Sequence, residues 1–350
     1  MRAWAIVESG KPLQCIELER PKPVGTEVLV EVTHCGICHS DLHLRSGSYN
    51  MGGGQVLRVS DRGVTLPRAP GHEPLGRVAE LGPDAKGVAI GDRRIVYPWI
   101  GCGHCSWCRE GLDNLCPDQQ IIGVLKHGGF ADYVLVPHPR YLVDFGNVDP
   151  ALAATYTCSG ITVYGAIKKA LPLAPDVPIV LIGAGGLGLS AIAMLKAFEH
   201  RNIISVDLAP EKRAAALAMG ATQVVDGTSA DLAAAIVAAA GGPVRAVIDF
   251  VNITSTAKAG FEALVRGGKL ILVGVSGGEM MLSLAGMVFQ SKSVIGTVTG
   301  SLAELHAVVK LAQDGKLPPF PIKEVARAQT GEVFEALERG EVVGRIVLRQ

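Results

Sequence analysis

Apolar and polar positions alternate in two different rhythms along this 350-residue chain. Up to about Pro150, short runs such as EVLVEVTHCG, GRVAELG, DRRIVYPW and FADYVLVPH are separated by Gly/Pro turns. Short β-favouring runs bounded by turn residues predict strands. Within this region SGSYNMGGGQVLRVSDRGVTLPRA (Ser46–Ala69) carries GGG and a charged DRG, and is expected to be a loop. From about Ala151 apolar runs alternate with Ala-rich stretches: VPIVLI then LGLSAIAMLKAF, NIISVD then PEKRAAALAMG, TQVVD then SADLAAAIVAAAGG, VRAVIDFV then TSTAKAGFEALVR, and KLILVGV. Strands separated by helices of this length predict right-handed βαβ units and a parallel sheet covered on both faces. SVIGTV, a helix LAELHAVVKLAQDG and a β-like tail GRIVLRQ follow. No fixed-period repeat or low-complexity tail interrupts the pattern.

Composition narrows the picture. A chain of this length can bury two full cores and does not need disulfides to fold. The 33 basic residues balance the 33 acidic ones, which argues against a nucleic-acid or anionic-membrane partner. Val177–Leu195 is uncharged and long enough to suggest a membrane span. Its four glycines, and Lys196 and Glu199 just beyond, favour a buried strand, a turn and a helix. The start MRAWAIVESGKP lacks a charged-then-apolar leader, so a cytoplasmic location is expected.

The turn GAGGLG, Gly183–Gly188, fits G-x-G-x-x-G between a predicted strand and a predicted helix. Gly183 would make the tight turn, Gly185 would admit a pyrophosphate, and Gly188 would let helix pack on strand. The helix N-terminus, with Gly186 in its first turn, would present free N–H groups to the phosphates. The next strand ends in Asp207, where a carboxylate can accept the adenosine ribose hydroxyls and repel a 2′-phosphate, so NAD is expected over NADP.

Cysteine placement carries the remaining chemistry. GCGHCSWCREGLDNLC packs Cys102, Cys105, Cys108 and Cys116 into one short stretch, open to reading as a disulfide staple, a redox centre, a nucleic-acid finger or a metal clip. In a reducing compartment metal ligation is the commoner use. HCGICHSDLH contains Cys35 and Cys38, PGHEPLGRV contains His72 and Glu73, and TYTCSGITVYGA contains Cys158. A thiolate, an imidazole and a second thiolate would form a three-ligand zinc site with an open position for a substrate oxygen.

In this order, CGICHSDLH, GHEPLG, the four clustered cysteines, CSGITVYGA and GAGGLG resemble the medium-chain zinc-dependent alcohol dehydrogenases, across nearly the whole chain. The resemblance implies an α/β fold. A GroES-like β-rich catalytic domain, residues 1–150 completed by 299–350, would join a Rossmann doubly wound NAD-binding domain, 151–298. It implies two zinc ions per subunit. Cys38, His72 and Cys158 match the catalytic ligands, and Cys102, Cys105, Cys108 and Cys116 match a closed structural site. An iron–sulfur cluster is the alternative for the latter. Glu73 matches a carboxylate that approaches the catalytic metal transiently, and Asp41 the acid that orients the ligand imidazole. Ser40 and His43 match the relay through which the alcohol proton leaves, and His39 a basic position near the pyrophosphate. Thr162 and Leu187 match nicotinamide contacts, Val273 and Val275 the carboxamide site, Lys212 a ribose neighbour, and Arg345 a pyrophosphate contact. The implied activity is hydride transfer between a small-molecule alcohol and NAD+, with aldehyde or ketone reduction in reverse. A homodimer or homotetramer is implied as well. A polyol or amino-alcohol dehydrogenase and a zinc-stabilised, non-catalytic binding protein are the rival readings. Cys35 and Cys15 are expected to be small buried hydrophobes, and His127 and His138 ordinary imidazoles.

Overall fold

The computed structural model of the protein describes residues 1–350. Two large sheets organise it. In the first, strands Ile322–Ala326, Arg345–Arg349, Val28–Gly36, Pro74–Leu81, Arg93–Val96 and Leu142–Val143 follow one another, and Tyr133–Val136 pairs with Val28–Gly36. The C-terminal strand Arg345–Arg349 therefore lies antiparallel to the second half of an N-terminal strand, with Val347 opposite Gly36.

The second sheet is six-stranded and parallel. Its order is Gln223–Asp226, Ile203–Asp207, Ile179–Ile182, Val244–Asp249, Leu264–Leu272, Ser293–Gly296. The first strand of the unit lies at the centre and the order reverses beside it, which opens a crevice at the strands' carboxyl ends. The Val177–Leu195 run resolves into a fully buried strand, IVLI, and the helix Gly186–Ala197. No helix of the protein is long and apolar enough to cross a membrane. One hydrophobic core runs from Val28 through Ala154 to Ile271, so the two sheets share packing.

Three expectations are corrected. Ser46–Ala69 is not a plain loop: Ser48–Gly52 and Gln55–Arg58 form an antiparallel hairpin, with Tyr49 opposite Leu57. Gly53 and Gly54 occupy its two-residue turn, both at positive φ, which is the backbone a tight hairpin requires. A short 3₁₀ turn, Ser60–Arg62, follows, and Val59 and Val64 anchor the segment against Ile6 and Leu44. The helix expected over TSTAKAGFEALVR covers only Thr254–Glu262, because Leu264 enters the sheet opposite Val244; strand pairing overrides the local helical pattern. Cys15 is exposed, on a strand of a two-stranded outer sheet, whereas Cys35 is buried. A further helix, Leu284–Gln290, leaves Leu284, Val288 and Phe289 in solvent.

Candidate active site

Three separate elements bring Cys38, His72 and Cys158 together. Cys38 caps the helix His39–Ser46, His72 stands just before the strand Pro74–Leu81, and Cys158 sits in the π-helical turn Tyr156–Gly160. Their donor atoms lie within 4.8 Å of one another, and the two sulfurs are 4.0 Å apart. A widened helical turn of this kind re-aims a side chain and is common at functional sites. His72 is 1% exposed, yet neither Nδ1 nor Nε2 has a hydrogen-bond partner, and only Nδ1 has a carboxylate, Asp41, nearby. A buried imidazole nitrogen without a partner, facing two thiols that form no disulfide, is the donor set of a zinc site with room for a further ligand.

Neighbours hold this group in register. Asp41 accepts N–H groups from Cys38 (3.0 Å) and Gly71 (3.2 Å), and its Oδ1 lies 3.2 Å from His72 Nδ1. A carboxylate on the far nitrogen of a ligand imidazole fixes its orientation and raises its basicity. Burial pushes His72 down, but Asp41 and Cys38 more than offset this and hold it well above the usual imidazole range. A hydrogen bond with Cys158 pushes the Cys38 thiol down, and the same contact pushes Cys158 up.

Glu73 stands outside the three-donor group. Its carboxylate pairs with Arg345 and accepts the Ser159 N–H at 3.4 Å. Burial raises its pKa to about 7, with the Arg345 guanidinium opposing. Arg345, expected at the pyrophosphate, thus spends its charge on Glu73, while its stem lies on the glycine turn: a Cβ at Gly186 would come within 2.3 Å of Arg345 Cδ. The pair links the metal group to the dinucleotide turn.

Ser40 and His43 lie three residues apart on one short helix, hence on one face. The His43 ring stacks on Tyr49 of the hairpin, centroids 4.8 Å apart. Burial lowers the His43 pKa, His39 adds to the lowering, and Cys38 opposes it. The hairpin also crosses toward the parallel-sheet unit: a Cβ on Gly52 would approach the Gly278 carbonyl oxygen to 2.5 Å.

At the dinucleotide turn a Cβ on Gly188 would sit 1.9 Å from the Gly183 carbonyl oxygen, so only glycine permits this approach of helix to strand. Asp207 ends its strand and accepts N–H groups from Ala184 (2.7 Å) and Ala209 (3.0 Å). Arg213 is engaged with the Asp207 and Leu208 carbonyls and with Asp226. Thr162 is buried in the helix Ile161–Ala170, Leu187 lies half-buried in the first turn of Gly186–Ala197, and Val273 and Val275 follow Leu264–Leu272. Lys212 Nζ approaches Gly340, and His39 opens its helix exposed.

Cys102, Cys105, Cys108 and Cys116 form the second donor group, also within 4.8 Å. The chain wraps its own sulfurs: Cys102 N–H donates to Cys116 Sγ (3.3 Å), Cys105 N–H to Cys102 Sγ (3.4 Å), and Asp118 N–H to Cys116 Sγ (3.3 Å). Such bonds stabilise thiolates. Asn114 Nδ2 donates to the Val298 carbonyl, tying this lobe to the segment after the last parallel strand.

Sequence reasoning missed Trp99 and Thr157. The Trp99 ring lies 5.6 Å from that of His72, and its Nε1–H donates to the Thr157 carbonyl. A tryptophan beside YP, immediately ahead of the cysteine cluster in a chain poor in aromatics, was the available signal. His127 and His138 accept backbone N–H groups of Ala69 and Arg140 and stand outside both donor groups.

Residues 25–146 match the family described as alcohol dehydrogenase GroES-like domain, and 186–314 that described as zinc-binding dehydrogenase. An NAD-dependent alcohol dehydrogenase of Sulfurisphaera tokodaii is 37% identical over 99% of both chains. A D-arabinose 1-dehydrogenase (NADP(+)) of Saccharolobus solfataricus is 33% identical, over 99% of this chain and 97% of its own. The crystal structure of an alcohol dehydrogenase from Aeropyrum pernix superimposes with a TM-score of 0.90 at 30% identity, covering 100% of both chains. A β-rich unit that presents three metal donors beside a parallel-sheet dinucleotide fold is the architecture of the zinc-binding dehydrogenases. Within that class, the chain belongs to the medium-chain zinc-dependent alcohol dehydrogenase family.

Proposed function

We propose that Cys38, His72 and Cys158 hold the zinc at which an alcohol is oxidised, and that Ser40 and His43 carry its proton away. The protein is a zinc- and NAD-dependent oxidoreductase acting on alcohols. The convergence of three donors from three elements carries the residue assignment. When bound, zinc supplies Lewis acidity toward the alcohol oxygen, and NAD+ supplies the hydride acceptor.

The chain's own residues do the rest. Asp41 holds the His72 ring so that one nitrogen faces the metal position. Ser40 takes the hydroxyl proton and passes it to His43, whose lowered pKa keeps it neutral and ready to accept near pH 7. Tyr49 holds that ring by stacking and lines the substrate mouth. The turn Gly183–Gly188 receives the pyrophosphate, with His39 and the Arg345 stem beside it, and Asp207 takes the adenosine ribose with Lys212 flanking. Thr162, Leu187, Val273 and Val275 enclose the nicotinamide. Glu73 restrains Arg345 and stands behind the metal group. Cys102, Cys105, Cys108 and Cys116 hold the second, structural zinc. The catalytic unit spans 1–150 and 299–350, the NAD-binding unit 151–298.

Leu284, Val288 and Phe289 form an exposed apolar face beside the edge strand Ser293–Gly296, which suits a homodimer contact in a cytoplasmic protein. Phe289→Glu should convert the dimer to monomer in light scattering; an unchanged mass removes this face from the contact. For the reaction, NADH formation is followed with primary, secondary and aromatic alcohols, polyols and aldoses, alongside elemental analysis. Turnover with alcohols at about two zinc ions per chain is expected. A preference for aldoses or polyols would move the substrate class, and a zinc-loaded protein inert toward the whole panel would overturn the reading.

A further inference from the structure

Three arginines are more than nine-tenths buried: Arg68, Arg327 and Arg345. Two have carboxylate partners, Arg327 with Asp132 and Arg345 with Glu73. Arg68 has none. Its only side-chain hydrogen bond runs from Nη2 to the Thr65 hydroxyl at 3.0 Å, and Nε is buried without a partner. Burial lowers its pKa, and no neighbouring charge opposes the lowering. A buried charge left in this state is costly unless something of opposite sign completes it. The residue is also fixed in place, since its backbone exchanges two hydrogen bonds with Ile6.

Arg68 lines a surface cleft of about 910 Å³ between the segment after the hairpin and the chain that leaves the cysteine lobe. Arg62 and Lys126 line it too, and neither forms an ion pair. Asp61 and Asp118 are the carboxylates of the cleft, so its formal balance is three positive against two negative charges. Of the cysteine cluster only Cys116 reaches the cleft; it is 5% exposed, and its sulfur already accepts N–H groups from Cys102 and Asp118. No residue of the three-donor group or of the glycine turn borders the space.

We propose that this cleft is a binding site for a phosphate-type oxyanion, inorganic phosphate or a phosphate monoester, held by Arg68 with Arg62 and Lys126. A guanidinium fork matches two oxygens of such an anion. Arg62 and Lys126 add two unpaired positive side chains to the same lining, and a tetrahedral oxyanion has further oxygens for them to neutralise. The bound anion would add a polar bridge between the segment that leads into His72 and the segment that leaves the cysteine lobe, which the Gly128 N–H to Ala69 carbonyl and Gly129 N–H to Gly71 carbonyl bonds already join further along.

The test uses the zinc-loaded, full-length protein with saturating NAD+, so that the pyrophosphate site is filled. Inorganic phosphate, and in a second arm glycerol 3-phosphate, is titrated by calorimetry at constant ionic strength. One saturable site per chain is expected. Arg68→Met should abolish it, and the exposed pair Arg62→Gln/Lys126→Gln should weaken it at least about tenfold while leaving kcat with a good alcohol unchanged. Tighter binding of the ester would assign the rest of the cleft to its carbon skeleton, and equal affinity would assign free phosphate. Absence of saturable binding in both arms, or wild-type affinity in the double variant, overturns the proposal; the double variant decides it even if Arg68→Met fails to fold.

Discussion

The two metal-donor groups are built from the same chemistry by opposite routes. Four cysteines between Cys102 and Cys116 converge through local turns, with backbone N–H groups from the same stretch on their sulfurs. Cys38, His72 and Cys158 converge only because two sheets and a shared core hold them; the two thiols are 120 residues apart. A local site can close its coordination sphere, and its binding energy becomes part of folding energy. A site assembled across the fold has its geometry imposed from outside and can keep a position open for chemistry. Loss of a ligand should therefore cost stability in one and turnover in the other.

Cys38→Ser and Cys105→Ser test this directly and should have the largest effects. Cys38→Ser should lower kcat by at least about 10³-fold, the loss of several kcal/mol of Lewis-acid stabilisation, with melting temperature and NAD affinity nearly unchanged. Cys105→Ser should lower the melting temperature by about 10 °C or more, and activity should fall only as structure is lost. A stable, two-zinc Cys105→Ser protein unable to turn over would reverse the roles of the groups.

Asp207 is a smaller case of the same long-range assembly, since its carboxylate ties the strand end to the Ala184 N–H of the glycine turn. Asp207→Ser should weaken NAD+ binding by about tenfold, the worth of a hydrogen bond to a charged group, and raise NADP+ use relative to NAD+. Steady-state kinetics with both dinucleotides measures this. Wild-type preference for NADP+ would show that repulsion at Asp207 does not govern the pocket.

His43 separates proton transfer from metal holding. Its pKa is lowered in the folded protein, so the neutral form prevails above the lowered value and is lost as pH falls through it, below the ordinary 6.5. Alcohol oxidation should decline over that acid range. His43→Gln should reduce it by about tenfold, less than direct general-base catalysis supplies, as the proposed passage of the proton through Ser40 requires. Small external bases should restore part of the rate, and zinc content should stay at the wild-type value; loss of one zinc would make His43 a ligand. The smallest effect belongs to Tyr49→Ala, which should change relative kcat/KM among large and small alcohols by about two- to fivefold, as modest packing changes in a pocket do. An unaltered substrate profile would confine the hairpin to a contact role.

Much of this was legible because some signals are local. C-x2-C-x2-C-x7-C and G-x-G-x-x-G each announce a turn whose backbone serves its own side chains, and both fold as those spacings demand. The hairpin was equally local, its Gly-Gly turn flanked by SYNM and QVLR, but the glycines and charges masked two short strands that pair with each other and rest on the remainder of the fold through Tyr49. Contacts made across sheets were beyond reach. Nothing in GRIVLRQ shows that Arg345 turns its guanidinium to Glu73, and nothing in YPWIG shows that Trp99 lies against His72. Leu264 reads as the end of a helix until Val244 is beside it.

The pairing of Val347 with Gly36 has a further consequence for how the protein comes into being on the ribosome. The Ile37 N–H that leads into Cys38 is held by the Ile346 carbonyl, and 347 − 36 = 311 residues of chain separate the paired strands. At 5–20 residues per second, the Cys38 segment waits on the order of 15–60 s for its partner to be synthesised. Cys102–Cys116 is complete long before that. The four-cysteine lobe can thus form early, whereas the Cys38 segment is held in place only when the last strand closes the sheet.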